Sequence, residues 1–560
     1  MAEVRIIQTC KRLCTLLLGA ALLPIAPASA NVDERAELAA YMRARAADSF
    51  GASGEAAKGY AAALALSPNN ELLAARALGQ AMAAGDYRLA LQAARILDRA
   101  GRLSPDTRLL LLTEAIRTRD WGGADAQVNA IAADQIYGFM VPILRAWIAV
   151  DSKQGDPLAL LGASQANPLS VVYATEHRPL LLLALGRREE GVAELLKLTQ
   201  TSGARAQRLR IAGAATIARK DRRLAASLLA GDAAPLRAAR ERLEQRKRIP
   251  GDIATARSGI AEFLVRVAID LNGQNATALA LAHARLATFL APENSETWLV
   301  ASDLLTAQNK HADALAVLAN IAPDDPFAGN AADSRSKLLV AVGDKQAALA
   351  QAEAAAALAS AATADWVRLG ELYQELERPD DSARAYGEAI ARAKGDPAAS
   401  GPEWTLWLLR GSALDEAERW PEAKAALEQA YRLAPDQPLV LNYLGYAQLE
   451  RRENLVEAER LIREASRLRP DDASITDSLG WAHYVRGNLP SAISLLEKAA
   501  AGQPADPAIN EHLGDAYFSA GRRYEARYAW EAALLYAEDE DAARLRSKIE
   551  AGLTPRTAAP

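Results

Sequence analysis

The chain has 560 residues, half of them apolar but only 5% aromatic, with 70 Asp and Glu against 65 Lys and Arg and a formal charge of −5. That balance excludes a general affinity for nucleic acid, which needs clustered positive charge. The length exceeds what one conventional core supports, and much of the apolar share is alanine, which suits closely packed helices.

The N-terminus reads as a leader. Arg5, Lys11 and Arg12 form a positive region ahead of a short apolar run at 13–25, too short to span a bilayer comfortably. Ala28 and Ala30 then supply small residues at the positions a signal peptidase reads, so cleavage is expected after Ala30. The competing reading is an uncleaved anchor. Cys10 and Cys14, the only cysteines, lie before or at the start of the apolar run, which argues against a lipoprotein. Removing 1–30 takes away Arg5, Lys11, Arg12 and Glu3, a net +2, and leaves a mature charge near −7 with no cysteine. Disulfide and thiolate chemistry are then excluded. The expected location is the periplasm, with outer-membrane association left open.

Beyond the leader, the expected pattern is helix, turn, helix. A break at 51–54 is followed by Ala56, Tyr60 and Ala63 on one face, and the scheme repeats 34 residues on with Gly85-Asp86 and Ala90, Ala94 and Leu97. A third unit carries Leu112, Asp120-Trp121 and Ala124. These place amino-terminal repeats over 31–138. The register loosens over 139–260, which ends in the most basic stretch, 237–248, read as a solvated connecting helix or as a contact for acidic partners or headgroups. Regular spacing returns over 261–395, where Ala268, Ser302, Ser336 and Gly370 stand 34 apart. A Gly/Pro-containing insertion around 396–403 is the expected kink or boundary. The last repeats occupy 404–540, and 541–560 is expected to form a capping helix and tail, which an array needs to cover its final apolar face.

The clearest units are anchored at Gly370, Gly411, Gly445, Gly480 and Gly514. About twelve residues after each of the last four stands a small partner: Ala423, Ala458, Ala492 and Ala526. Two helices and two short turns fill 34 residues, and small residues at both positions let the two backbones approach. This pattern resembles the tetratricopeptide repeat family. It is carried by Trp407, Leu427, Ala430 and Pro435 around Gly411, and by the Leu-Gly pairs ending at Gly445, Gly480 and Gly514. The resemblance implies an all-α, tetratricopeptide-type helical-repeat solenoid: a right-handed superhelix of antiparallel helix pairs with a concave groove lined by first helices. It implies a protein or peptide partner and no catalysis.

On the last three first helices one stripe runs i, i+4: Asn442 and Tyr446, then Asp477 and Trp481, then Glu511 and Asp515. Tyr484 and Phe518 continue it at i+7. In the resembled family that face lines the groove. Aromatics interleaved with carboxylates would anchor a segment carrying basic and apolar residues. The competing reading packs the aromatics between repeats. The stripe lacks the Lys/Arg and Asn set with which such domains clamp a C-terminal carboxylate. The five histidines are dispersed, and no HExxH, phosphate loop or GxSxG elbow occurs. No cofactor or metal is expected, although His483 and His512 near Asp477 and Glu511 leave a metal pair as the minor alternative. The expected function is a non-catalytic envelope scaffold, with an accessory subunit of an envelope enzyme as the alternative.

Overall fold

The computed structural model describes residues 32–134, 136–200, 203–358, 361–394 and 401–554. The leader, most of the insertion at 396–403 and the tail from 555 lie outside these. No helix among the described residues is long and apolar enough to cross a membrane. The described residues are helical throughout, with no strand.

The first hairpins pair Val32–Ser49 with Ser53–Leu66, Glu71–Ala84 with Tyr87–Arg99, and Pro105–Thr118 with Trp121–Ala132. The carboxylates in their turns act as caps. Asp86 accepts from the Leu89 amide and Asp120 from the Gly123 amide, each satisfying an amide with no partner inside its helix. In the last hairpins Asp472 and Asp506 do the same for Ile475 and Ile509.

Among the described residues, every hairpin but the one joining Ala204–Ile217 to Arg222–Leu228 turns on a residue in the left-handed region. These include Gly51, Gly85, Arg119, Lys153 and Gly186, and later Asn275, Asn309, Gly343 and Glu377. After the insertion come Glu418, Arg452, Gly487 and Gly521. The next amide reaches back into the preceding helix, as from Asp86 to Ala81 and from Asn488 to His483, which closes the orphan carbonyls of that helix. The turn recurs at the repeat length even where the residue is not glycine. Gly445 and Gly480 stand 35 apart, one more than Gly411 and Gly445, and the extra residue is absorbed in the turn before Leu455, where both Arg452 and Asn454 take positive φ.

Packing inside a hairpin explains the Leu-Gly pairs. A Cβ on Gly480 would lie 2.8 Å from Leu496 and 3.3 Å from the Ala492 carbonyl, and one on Gly514 would lie 2.4 Å from Trp530. Gly411 and Gly445 stand equally close to Leu427 and Ile462, and Gly370 to Tyr386. The glycine thus accommodates a large side chain one turn beyond the small partner. Ala423, Ala458, Ala492 and Ala526 are all fully buried. Where serine replaces glycine or alanine it bonds across: Ser302 Oγ donates to the Ala314 carbonyl and Ser382 Oγ to the Gly370 carbonyl. The fold class is therefore an all-α array of antiparallel helix hairpins of the tetratricopeptide type.

The structure divides into two compact units, one reaching Ala230 and resuming over Pro235–Ala328, the other comprising Gly231–Ala234 and everything from Gly329 onward. In the first unit the neighbour-only packing of a simple array does not hold. Helix Ala256–Gly273 packs on Val141–Ser152, with Trp147 buried beneath Gly259. Tyr173 donates to Asp270, and Arg205 gathers Glu176, Glu262 and Glu296. Arg285 donates to the Ala83 carbonyl, and Lys310 to Ser53 Oγ, across more than 200 residues of sequence. The basic stretch forms helix Ala234–Glu244 with Leu236, Ala239 and Leu243 buried; Arg246, Lys247 and Arg248 lie beyond its end. Arg242 donates to the Asp324 carboxylate and to the Arg248 carbonyl, and Arg240 to the Leu229 carbonyl. These arginines thus tie this unit internally.

Candidate partner-binding cleft

Four successive first helices of the second unit, Glu403–Glu416, Pro438–Glu450, Ala473–Val485 and Pro507–Ser519, border a cleft of 400 Å³. Asn442, Tyr446 and Asp477 of the stripe line it. So do residues the stripe did not include: Asp415, Tyr443, Glu450, Asp506 and His512. Tyr443 and Glu450 share the helix of Asn442 and Tyr446, whereas Asp415, Asp506 and His512 join from neighbouring repeats, which spacing within one helix cannot find. For Glu450 the signal was helical spacing. Glu450 continues the Asn442 and Tyr446 face of its own helix at i+8.

The cleft is rich in acceptors. Four carboxylates meet there, those of Asp415, Glu450, Asp477 and Asp506. Asp415 is held by Arg451 at 2.5 Å. Burial raises the pKa of Asp415 and Glu450, with Arg451 opposing in both cases. Burial, reinforced by Glu450 and Asp477, raises that of Tyr446. Tyr443 is pushed up to about 12, chiefly by burial, and its hydroxyl donates to Ser412 Oγ at 3.0 Å. Asn442 Oδ1 is buried with no hydrogen-bond partner among the described residues, an acceptor that a bound donor would satisfy.

His512 forms one wall. Its Nδ1 lies 2.9 Å from Asp477, and its ring stacks on Trp481 at 4.1 Å. Burial opposes protonation of His512, but Asp477, with Asp515 and Glu511 behind it, outweighs burial and raises its pKa. Trp481 is 3% exposed and stacks also on Tyr484, whose hydroxyl meets Ser519 Oγ at 3.0 Å. These rings pack between repeats.

At the last hairpin the stripe is covered. Glu511 and Asp515 are buried and share Lys548, from the terminal helix Asp539–Ala551, at 2.6 and 2.8 Å; Arg544 adds a bidentate pair to Glu511. Burial pushes the Glu511 pKa up, but the hydrogen bonds from Arg544 and Lys548 prevail and hold it low. Trp530 Nε1 donates to Asp515, and Phe518 lies against the Trp530 ring at 5.6 Å. Among the described residues no group of three or more His, Cys, Asp and Glu side chains could hold a metal ion; His512 and Asp477 form a pair only.

A second cleft in this unit, of 460 Å³, lies between first helices Ala328–Ala341 and Thr363–Glu375. Asp333, Glu371 and Glu375 line it with Lys337 and Arg368, and burial raises the Glu371 pKa.

No family model matches the chain, and no curated protein matches it. Among solved structures, a tetratricopeptide repeat protein from Parabacteroides merdae is 13% identical over 46% of this chain and 97% of its own, with a TM-score of 0.38. A thermophilic protein of the same repeat type from Thermus thermophilus is 22% identical over 34% of this chain and 98% of its own, with a TM-score of 0.29. The Cut9–Hcn1 hetero-tetramer of APC/C gives 15% identity over 92% of this chain and 96% of that one, with a TM-score of 0.37. By the turns and glycine contacts above, the chain is, in its fold, an array of tetratricopeptide-type hairpins.

Proposed function

We propose that this chain is a non-catalytic scaffold of the bacterial cell envelope and holds partner proteins by a segment laid across its C-terminal first helices. The observation that carries this reading is the cleft built by four consecutive first helices, where carboxylates outnumber the cations and Asn442 offers an unpaired acceptor. Such a lining suits a segment with Lys or Arg side chains and apolar residues between them. The leader reading of 1–30 supports an exported location. No nucleophile–base pair appears in the cleft, whose His512 is engaged by Asp477.

The test is binding of fluorescent peptides with equal apolar content and Lys/Arg, Gln or Glu at the polar positions. The basic peptide should bind best and should weaken as salt rises. Glu450→Gln combined with Asn442→Leu should lower its affinity roughly tenfold, or about 1.4 kcal/mol. Equal affinity for the Glu peptide would refute the acidic-cleft reading.

A further inference from the structure

The first unit holds a pocket of 390 Å³ that takes no part in the cleft above. Two first helices, Glu71–Ala84 and Pro105–Thr118, form one side, and Thr277–Leu290 forms the other. Leu78, Met82, Leu110, Leu281 and Leu286 line it. A Cβ on Gly79 would meet nothing within 4 Å, so open space lies against the helix there. The volume falls within the range of small-molecule sites, and the lining has the same character: mostly apolar with a few polar groups. Asp106 and Lys310 also border it with opposite charges. The pocket therefore presents no net charge from its acids and lysine.

One polar atom in the lining is unanswered. His283 is 1% exposed, and its Nδ1 lies 2.9 Å from the Leu279 carbonyl oxygen. A carbonyl only accepts, so Nδ1 carries the proton and Nε2 presents a lone pair. Nε2 is buried with no hydrogen-bond partner among the described residues. Burial lowers the pKa of the ring, against smaller opposing effects from the Leu279 hydrogen bond and Asp106, which keeps it a neutral acceptor. The Tyr137 ring lies parallel to it with centroids 6.3 Å apart.

We propose that this pocket binds a small neutral apolar molecule bearing one hydroxyl, which donates to His283 Nε2 while the hydrocarbon lies against Leu78, Met82, Leu110, Leu281 and Leu286. A carboxylate would set an acceptor against the Nε2 lone pair. An ether of the same size would leave Nε2 buried and unpaired. Sites built to hydrogen-bond a ligand reject analogues that lack the partner group.

The test is calorimetric titration of the full chain with 1-octanol, methyl octyl ether and octanoate. Octanol should saturate one site per chain, and the ether and octanoate should each bind at least about tenfold more weakly. Gly79→Leu should fill the pocket and abolish octanol binding, with helicity and melting temperature no lower than wild type, because the new side chain meets open space. His283→Phe should bind octanol and ether alike. The proposal is overturned if wild type fails to bind octanol, if it binds the ether as well as octanol, or if Gly79→Leu retains octanol binding.

Discussion

His512 is where the fold and the cleft meet. It is buried, carries Asp477 on one nitrogen and lies flat on Trp481. Its pKa is raised above the ordinary 6.5, so the folded state binds this proton more tightly than the unfolded chain. The charged pair therefore contributes stability that is fully present below the unfolded pKa and is lost as pH rises through the folded one. Asp477, Asp515, Glu511, Glu450 and Tyr446 are titratable groups around it. The melting-temperature advantage of wild type over His512→Gln should shrink as pH rises above the ordinary histidine pKa of 6.5; a gap that widens with pH would contradict the pairing. The i, i+4 stripe was legible in the sequence as a shared face, and Asn442, Tyr446 and Asp477 do line the cleft. What that periodicity could not show is the supply of counter-charges. Arg544 and Lys548 reach Glu511 from 33 and 37 residues away, on a helix whose own pattern marks it only as a cap.

The hairpin is the element that repeats, and its tightest point is the glycine of the first helix. Gly480→Ala drives a methyl against Leu496 and the Ala492 carbonyl and should cost about 1–3 kcal/mol. Gly79→Ala, in a first helix with nothing within 4 Å, should stabilise by up to about 1 kcal/mol through helix propensity. Denaturant midpoints of the two variants should move in opposite directions. The Leu-Gly periodicity was visible because steric demand restricts that position to glycine or a close substitute. The turn was less legible. Arg119, Lys153, Glu377, Glu418 and Arg452 adopt the same left-handed backbone as Gly85 and Gly487, and their identities do not announce it. There the chain tolerates a local cost of roughly 1–2 kcal/mol because packed helices on both sides fix the turn.

At the scale of the whole molecule, the two units follow different rules. The second unit packs hairpin on neighbouring hairpin, as its spacing implies. The first unit ties its opening hairpins to helix Thr277–Leu290, and no repeat pattern predicts a contact spanning 202 residues. Deleting 32–99 removes the partners of Arg285 and Lys310 and should raise amide exchange in Thr277–Leu290 by tenfold or more, while exchange in Ala473–Val485 stays unchanged. Uniform protection of Thr277–Leu290 after the deletion would show that the long-range ties contribute nothing. In the second unit we propose that the first helices receive a partner. The most direct measurement places a photo-crosslinking residue at Asn442, inside the cleft, or at Tyr528, which is 71% exposed on the last second helix, and maps the adducts formed with the best-binding basic peptide. The account predicts crosslinks from position 442 that excess unlabelled peptide suppresses, and none from position 528; equal adducts from both positions, or adducts from 528 alone, would contradict it.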